Sequence, residues 1–159
     1  MEKIKVYTCG PMTGLTIEAA TVWREYVEKE LGEDFIILSP LRVEGTYLKK
    51  EKTIGALPKT TEPVLQGPAI YHRDIFDIER SDILLCNLND APEGPCIGSI
   101  FELGYAAALR PQPAIIVVAR KDTVFARHPL ITTPASIIFE ELEPAVEHIK
   151  LNFGVFNGY

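Results

Sequence analysis

The sequence predicts an α/β protein in which a doubly wound, five-stranded parallel sheet carries helices on both faces. Three observations lead there. Short apolar runs recur along the chain, and stretches of helix length with apolar residues three or four positions apart fall between them. After the first, the runs are also nearly continuous rather than alternating, as in strands covered on both faces. One domain, residues 1–159, accommodates them all.

"KIKVYTC" alternates apolar and polar residues and runs into Gly10 and Pro11, the pattern of a first strand entering a loop. Residues 17–31 make the first helix, with Ala19, Val22, Trp23, Tyr26, Val27 and Leu31 on one face and Gly32 as its stop. "DFIILSP" is a short buried strand closed by Pro40. Periodicity then fails over residues 41–70, a long connection of the kind that serves as a lid or an insert. "YHRDIFDIERSDILLCNL" predicts a helix over Tyr71–Arg80 and a strand over Ile83–Leu88. The polar loop "NDAPEGPC" leads to a helix in "GSIFELGYAAA", "PAIIVVA" and "SIIFE" supply the last two strands, and "EPAVEHIKLNF" the last helix. The economical strand order is the flavodoxin-like, Rossmann-like 2-1-3-4-5.

Composition narrows the function classes. The chain is 47% hydrophobic and 24% charged, as in soluble globular proteins, and its apolar runs are far shorter than the ~20 residues that span a bilayer. The start lacks signal-peptide anatomy, so a cytoplasmic location is expected. Three cysteines, Cys9, Cys86 and Cys96, without CxxC spacing, predict reduced thiols and neither a disulfide framework nor a metal site. His72, His128 and His148 are scattered and show no metal-ligand spacing. A net charge of −6 and the lack of a basic stripe argue against a nucleic-acid polymer as partner. A nucleotide-sized ligand fits better.

In such sheets ligands bind beyond the carboxyl ends of the strands, where the strand order reverses. That places the loop after strand 1, with Gly10, Pro11 and Met12, opposite the loop after strand 3 and the helix that begins near Gly98. Glu102 falls in the first turn of that helix and has two readings. With Ser99 it matches an S-x-x-E capping box; alternatively it faces the crevice as a reactive carboxylate. Gly104 favours the second, because a glycine inside a helix costs up to ~1 kcal/mol and implies close approach of backbone or ligand. Asp74 shares a helical stripe with Tyr71 and Ile78, whereas Asp77 and Glu79 are expected on a solvated face, and Asp82 closes the turn before strand 3. Asn87 and Asn89 end strand 3, where they either contact ligand or close a turn.

"VYTCGPMTG", "YHRDIFDIERSD", "GSIFELGYA" and a terminus ending "NFGVFNGY", in this order and spacing, resemble the nucleoside 2-deoxyribosyltransferase family over most of the chain, residues 41–70 least. The resemblance implies that Glu102 is the nucleophile at the anomeric carbon, Asp74 the acid and base toward the nucleobase, and Tyr7 the group that orients Glu102. It also implies a homo-oligomer with shared sites, Tyr159 of one subunit reaching the sugar 5′-hydroxyl bound by its neighbour. Two carboxyl groups about one glycosidic bond suit a double displacement through a glycosyl-enzyme, without metal or cofactor. Two positions depart from the transferase pattern. Cys96 stands where an aspartate usually holds the sugar hydroxyl, and Ser136 is the best match to an asparagine from the neighbouring subunit. The related 2′-deoxynucleoside 5′-monophosphate N-hydrolases have serines at both, so loss of the anionic aspartate leans toward a phosphorylated substrate and the terminal tyrosine leans away. The third reading is a nonenzymatic nucleotide-binding module.

Overall fold

In the computed structural model, residues 2–55, 60–89 and 96–155 are described. Five strands, β1 (Ile4–Cys9), β2 (Phe35–Leu38), β3 (Ile83–Asn87), β4 (Ala114–Val118) and β5 (Ile137–Phe139), form one sheet in the order β2-β1-β3-β4-β5. Every pairing is parallel, from Val6 beside Ile37 and Ile83 to Val118 beside Phe139. This is the flavodoxin-like order. Among the described residues, six helices accompany the strands: α1 (Ile17–Leu31), α2 (Glu44–Tyr47), α3 (Gly67–Glu79), α4 (Ile97–Ala108), α5 (Pro129–Thr132) and α6 (Leu142–Phe153).

Alternation along the strands creates two cores. Val6, Ile83, Leu85, Ile116 and Val118 face α1 and α6, where Trp23, Val27, Val146 and Ile149 pack on them. Tyr7, Cys9, Leu84, Cys86, Ile115 and Val117 face the other way, onto Ile78 of α3, Leu103 and Ala106 of α4 and Ile131 of α5. That parity aims Tyr7 and Cys9 at α3 and α4. Among the described residues, no helix is long and apolar enough to cross a membrane.

Helix α1 has the expected bounds, with Thr16 accepting from the Ala19 N–H at 3.1 Å and Gly32 closing it at φ 69°. Its buried stripe is rotated from the expected one. Ala20 and Arg24 are covered, whereas Ala19 and Val22 face solvent. The guanidinium of Arg24 can occupy the apolar side because backbone carbonyls of the β1–α1 turn receive its N–H groups.

Helix α3 begins four residues before the expected Tyr71, at Gly67, with Pro68 tolerated in the first turn because no intrahelical N–H is needed there. The connection expected over residues 41–70 contains α2 and a 3-10 turn over Pro63–Leu65. Residues 48–54 fasten onto the start of α1. Ile54 donates to Leu15 O at 2.8 Å, and Gly14 donates to Ile54 O at 2.9 Å. Leu41, Leu48 and Ile54 pack with Met12, Ile17 and Ala20 in a small third core. Helix α5 has no counterpart in the sequence pattern; it is a single turn started by His128, whose Nδ1 accepts from the Leu130 N–H at 3.3 Å.

Candidate active site

Tyr7 reaches Glu102 directly. Its hydroxyl donates to Glu102 Oε1 at 2.7 Å, and both side chains are buried between β1 and α4. Helix α4 begins at Ile97 with Cys96 as N-cap and no side-chain cap bond, so Glu102 lies in the second turn, not the first. The capping box is therefore absent. Ser99 is inside the helix and buried, and the stripe Ser99, Glu102, Leu103 and Ala106 faces the sheet at helical spacing. Glu102 is spent on the phenol of Tyr7 rather than on its own helix terminus.

Burial pushes the Glu102 carboxyl up; the Tyr7 hydrogen bond, the Cys9 thiol and the charge of Arg24 act against that. The Tyr7 phenol is pushed up by burial and then by the Glu102 charge, so it remains a donor. Arg24, 2% exposed, donates to Thr8 O at 3.2 Å, Gly10 O at 3.3 Å and Ala20 O. Burial lowers it to about 10, which leaves it cationic at neutral pH. An arginine within the apolar spacing of residues 20, 23, 24, 27 and 31 is the signal in the sequence that could have marked it.

Asp74 comes from α3 and is 7% exposed. Its carboxyl is raised to about 7, first by burial, then by repulsion from Glu102, with Arg73 opposing and Glu44 adding. A carboxyl with that affinity can give up or take a proton near neutrality. Arg73 donates to Asp74 Oδ1 at 3.1 Å and to Glu44 Oε1 at 2.9 Å. Nothing in the spacing of the sequence signals Glu44.

Asp77 is fully buried, which corrects the solvated face expected for it. Arg42 and Arg80 both donate to it, Arg80 at 2.8 Å, and neutralise its charge. Glu79 is exposed as expected and accepts from the Tyr105 hydroxyl at 2.6 Å. Asp82 accepts from the Lys5 N–H at 2.8 Å, a bond between strand ends.

Gly10 and Pro11 are buried at the end of β1. A Cβ on Gly10 would stand 2.9 Å from both Asn87 O and Trp23 Cζ2, so this is where the backbone must approach closely. Gly104, expected to allow such an approach behind Glu102, is exposed, and a Cβ there would meet nothing within 4 Å. Gly98 is likewise open on the second position of α4. Met12 packs into the third core, and Cys96 is half-buried at the N-cap, its thiol raised by burial. Asn87 accepts from the Asn89 N–H at 3.2 Å; Asn89 in turn accepts from Arg120 N–H at 2.8 Å and donates to Glu140 O at 2.7 Å. Of the two readings for these asparagines, closing turns is the one the hydrogen bonds express.

Ser136 does not join this group within the chain. It precedes β5, at the amino end of the strands, with its hydroxyl accepting from the Ile115 N–H at 3.1 Å. Tyr159 and most of the loop after β3, residues 90–95, lie outside the described residues. A recess of about 500 Å³ opens beyond β4 and β5, lined by Ala119, Lys121, Phe139 and Glu140 among others, but it includes neither Asp74 nor Glu102. The chemistry points to the Tyr7, Glu102 and Asp74 group instead, because buried carboxyls with raised proton affinity are what a site needs and a shallow recess is not.

The family model for nucleoside 2-deoxyribosyltransferase matches residues 6–148, which takes in Tyr7, Asp74 and Glu102. The chain belongs to that family. No curated protein matches it significantly. Its fold is similar to that of a conserved protein from Enterococcus faecalis V583 solved by crystallography, at 16% identity and a TM-score of 0.51, over 95% of this chain and 89% of the other. At that identity the likeness concerns the fold alone. The family is one of enzymes that bind nucleosides and nucleobases. Glu102 comes from the helix that follows β3 and meets Tyr7 in the second half of β1, toward the side on which doubly wound sheets bind ligands.

Proposed function

We propose that this protein transfers a 2-deoxyribosyl group between nucleobases by double displacement. The observation that carries the reading is the buried Glu102 held by the Tyr7 hydroxyl, with Asp74 nearby at a proton affinity near neutrality. Glu102 attacks the anomeric carbon, the carbon–nitrogen bond breaks, and Asp74 gives its proton to the departing base. An incoming base then attacks the same carbon, Glu102 leaves, and Asp74 takes the proton back. Tyr7 keeps one carboxylate oxygen occupied so that the other is aimed at the sugar. No cofactor takes part.

Transfer outruns hydrolysis only if water is kept from the glycosyl-enzyme. The residue 41–55 segment packed over the β1–α1 turn supports a covering role for this part of the connection. Gly10, Pro11, Met12, Cys96 and Gly98 are the proposed substrate contacts of one subunit, and Ser136 and Tyr159 those of a neighbour. A homo-oligomer is supported by the outer face of α4, where Ile97, Gly98, Phe101, Gly104 and Ala108 are exposed without a single charge. Sedimentation velocity reads the assembly, and a lone monomer at assay concentration refutes the shared site.

Cys96 in place of an aspartate favours one second reading, hydrolysis of 2′-deoxynucleoside 5′-monophosphates. Incubation with deoxyinosine and adenine, or thymidine and cytosine, and in parallel with 2′-deoxynucleoside 5′-monophosphates, followed by chromatography, separates the two. An exchanged deoxynucleoside supports the transferase. Free base released only from monophosphates supports the hydrolase, and no release from either leaves a binding module. The Glu102→Gln protein is expected to bind ligand without turnover; retained turnover removes Glu102 from the mechanism.

A further inference from the structure

Arg73 is divided between three acceptors. Its Nε donates to Asp74 Oδ1 at 3.1 Å, while Nη2 donates to Glu44 Oε1 at 2.9 Å and to Pro40 O at 2.7 Å. Glu44 belongs to a one-turn helix in a long connection, a place where glutamate ordinarily faces water, yet it is only 9% exposed. Glu44 Oε2 and Arg73 Nη1 are both buried without a partner among the described residues. The pair is thus held in place at the expense of its own hydrogen bonding, the kind of exception that calls for an explanation.

A free guanidinium beside a carboxylate engages it through two parallel N–H groups and holds it ionised. Here Asp74 receives one N–H, because Glu44 and Pro40 draw the rest of the fork toward α2. Among the described residues, the charged and titratable groups facing Asp74 are Arg73 on its own helix, Glu102 from α4, Tyr7 from β1 and Glu44 from α2. Two further carboxylates therefore share its surroundings with one nearby guanidinium.

Resting on the reading of Asp74 as the acid, we propose that Glu44 is a positioning residue: by holding Arg73 toward α2 it withholds charge from Asp74 and keeps that carboxyl protonated for release of the base. The connection after β2 thereby acts on the chemistry without touching substrate. Glu44 supplies no proton itself.

The test is a carbon-13 NMR titration of the Asp74 side-chain carboxyl, which needs no turnover. In Glu44→Gln the Asp74 midpoint is expected to fall by about one pH unit, as Arg73, with only neutral acceptors left beside α2, turns toward Asp74. In Glu44→Asp the charge remains but the shorter side chain lets go of Arg73, and the midpoint falls again; a purely Coulombic effect of Glu44 leaves it in place. The alkaline limb of kcat/KM follows the midpoint, so at pH 7 kcat/KM drops about fivefold. An unmoved midpoint in folded Glu44→Gln and Glu44→Asp proteins overturns the proposal. A moved midpoint in a protein without glycosyl turnover upholds the electrostatic arrangement and refutes the proposed reaction instead.

Discussion

Asp74 and Asp77 sit on one helix, three residues apart, both buried, and both joined by arginines to the connection after β2. They differ in how charge is shared. Asp77 has Arg42 on one oxygen and Arg80 on the other, two cations for one carboxylate. Asp74 has a fraction of one guanidinium, with Glu44 competing for it and Glu102 repelling from α4. A buried carboxylate with ample cations fastens two elements together, whereas one short of cations is left with a proton to give. The same residue type on the same helix thus does opposite work.

The largest expected effect falls on activity. Asp74→Asn is expected to lower kcat about 10²- to 10⁴-fold in the exchange assay while the protein stays folded, since the amide keeps the shape and loses the proton. Asp77→Asn inverts the pattern. It is expected to leave kcat within a few-fold but to cost about 2 kcal/mol in urea unfolding, the loss of two charge-assisted contacts softened because both guanidiniums are about two-fifths exposed and can rehydrate. Equal effects of the two substitutions on both measurements erase the distinction.

Stability against pH sharpens it. The folded state raises Asp74 from 3.8 to about 7, so folding favours the protonated form. Its contribution is fully present below pH 3.8, declines by about 1.4 kcal/mol for each pH unit above that, and is lost once pH passes about 7. Wild-type stability is expected to fall by a few kcal/mol across that window relative to Asp74→Asn, measured by urea unfolding at several pH values. The smallest effects distinguish the glycines. Gly10→Ala is expected to cost about 1–3 kcal/mol because backbone at Asn87 stands in the way, and Gly104→Ala to stabilise by up to about 1 kcal/mol in an open helix position.

These pairs also mark where the sequence is legible. Asp74 can be found because its helical stripe runs past Ile78 into the core, and Glu102 because it follows a glycine-rich loop at the switch point. Asp77 reads as solvated because its two arginines come from different places, one of them 35 residues away, and no local spacing announces such a partner. Gly104 misleads for the complementary reason. The helical cost of a glycine is a local fact, but the space around it is not, and the close approach occurs at Gly10.

By itself the sequence determined the five strands and their order, because apolar periodicity and the rules of parallel connection are local or nearly so. It also determined family membership through motifs in a set order. Only the tertiary structure decided that Glu102 is bonded to Tyr7 rather than to its own helix end, that Arg24 is buried beneath the β1 turn, and that Arg73 is shared with Glu44. Each of those depends on charges brought together across long stretches of chain, in surroundings whose low polarity exists only once the chain has folded.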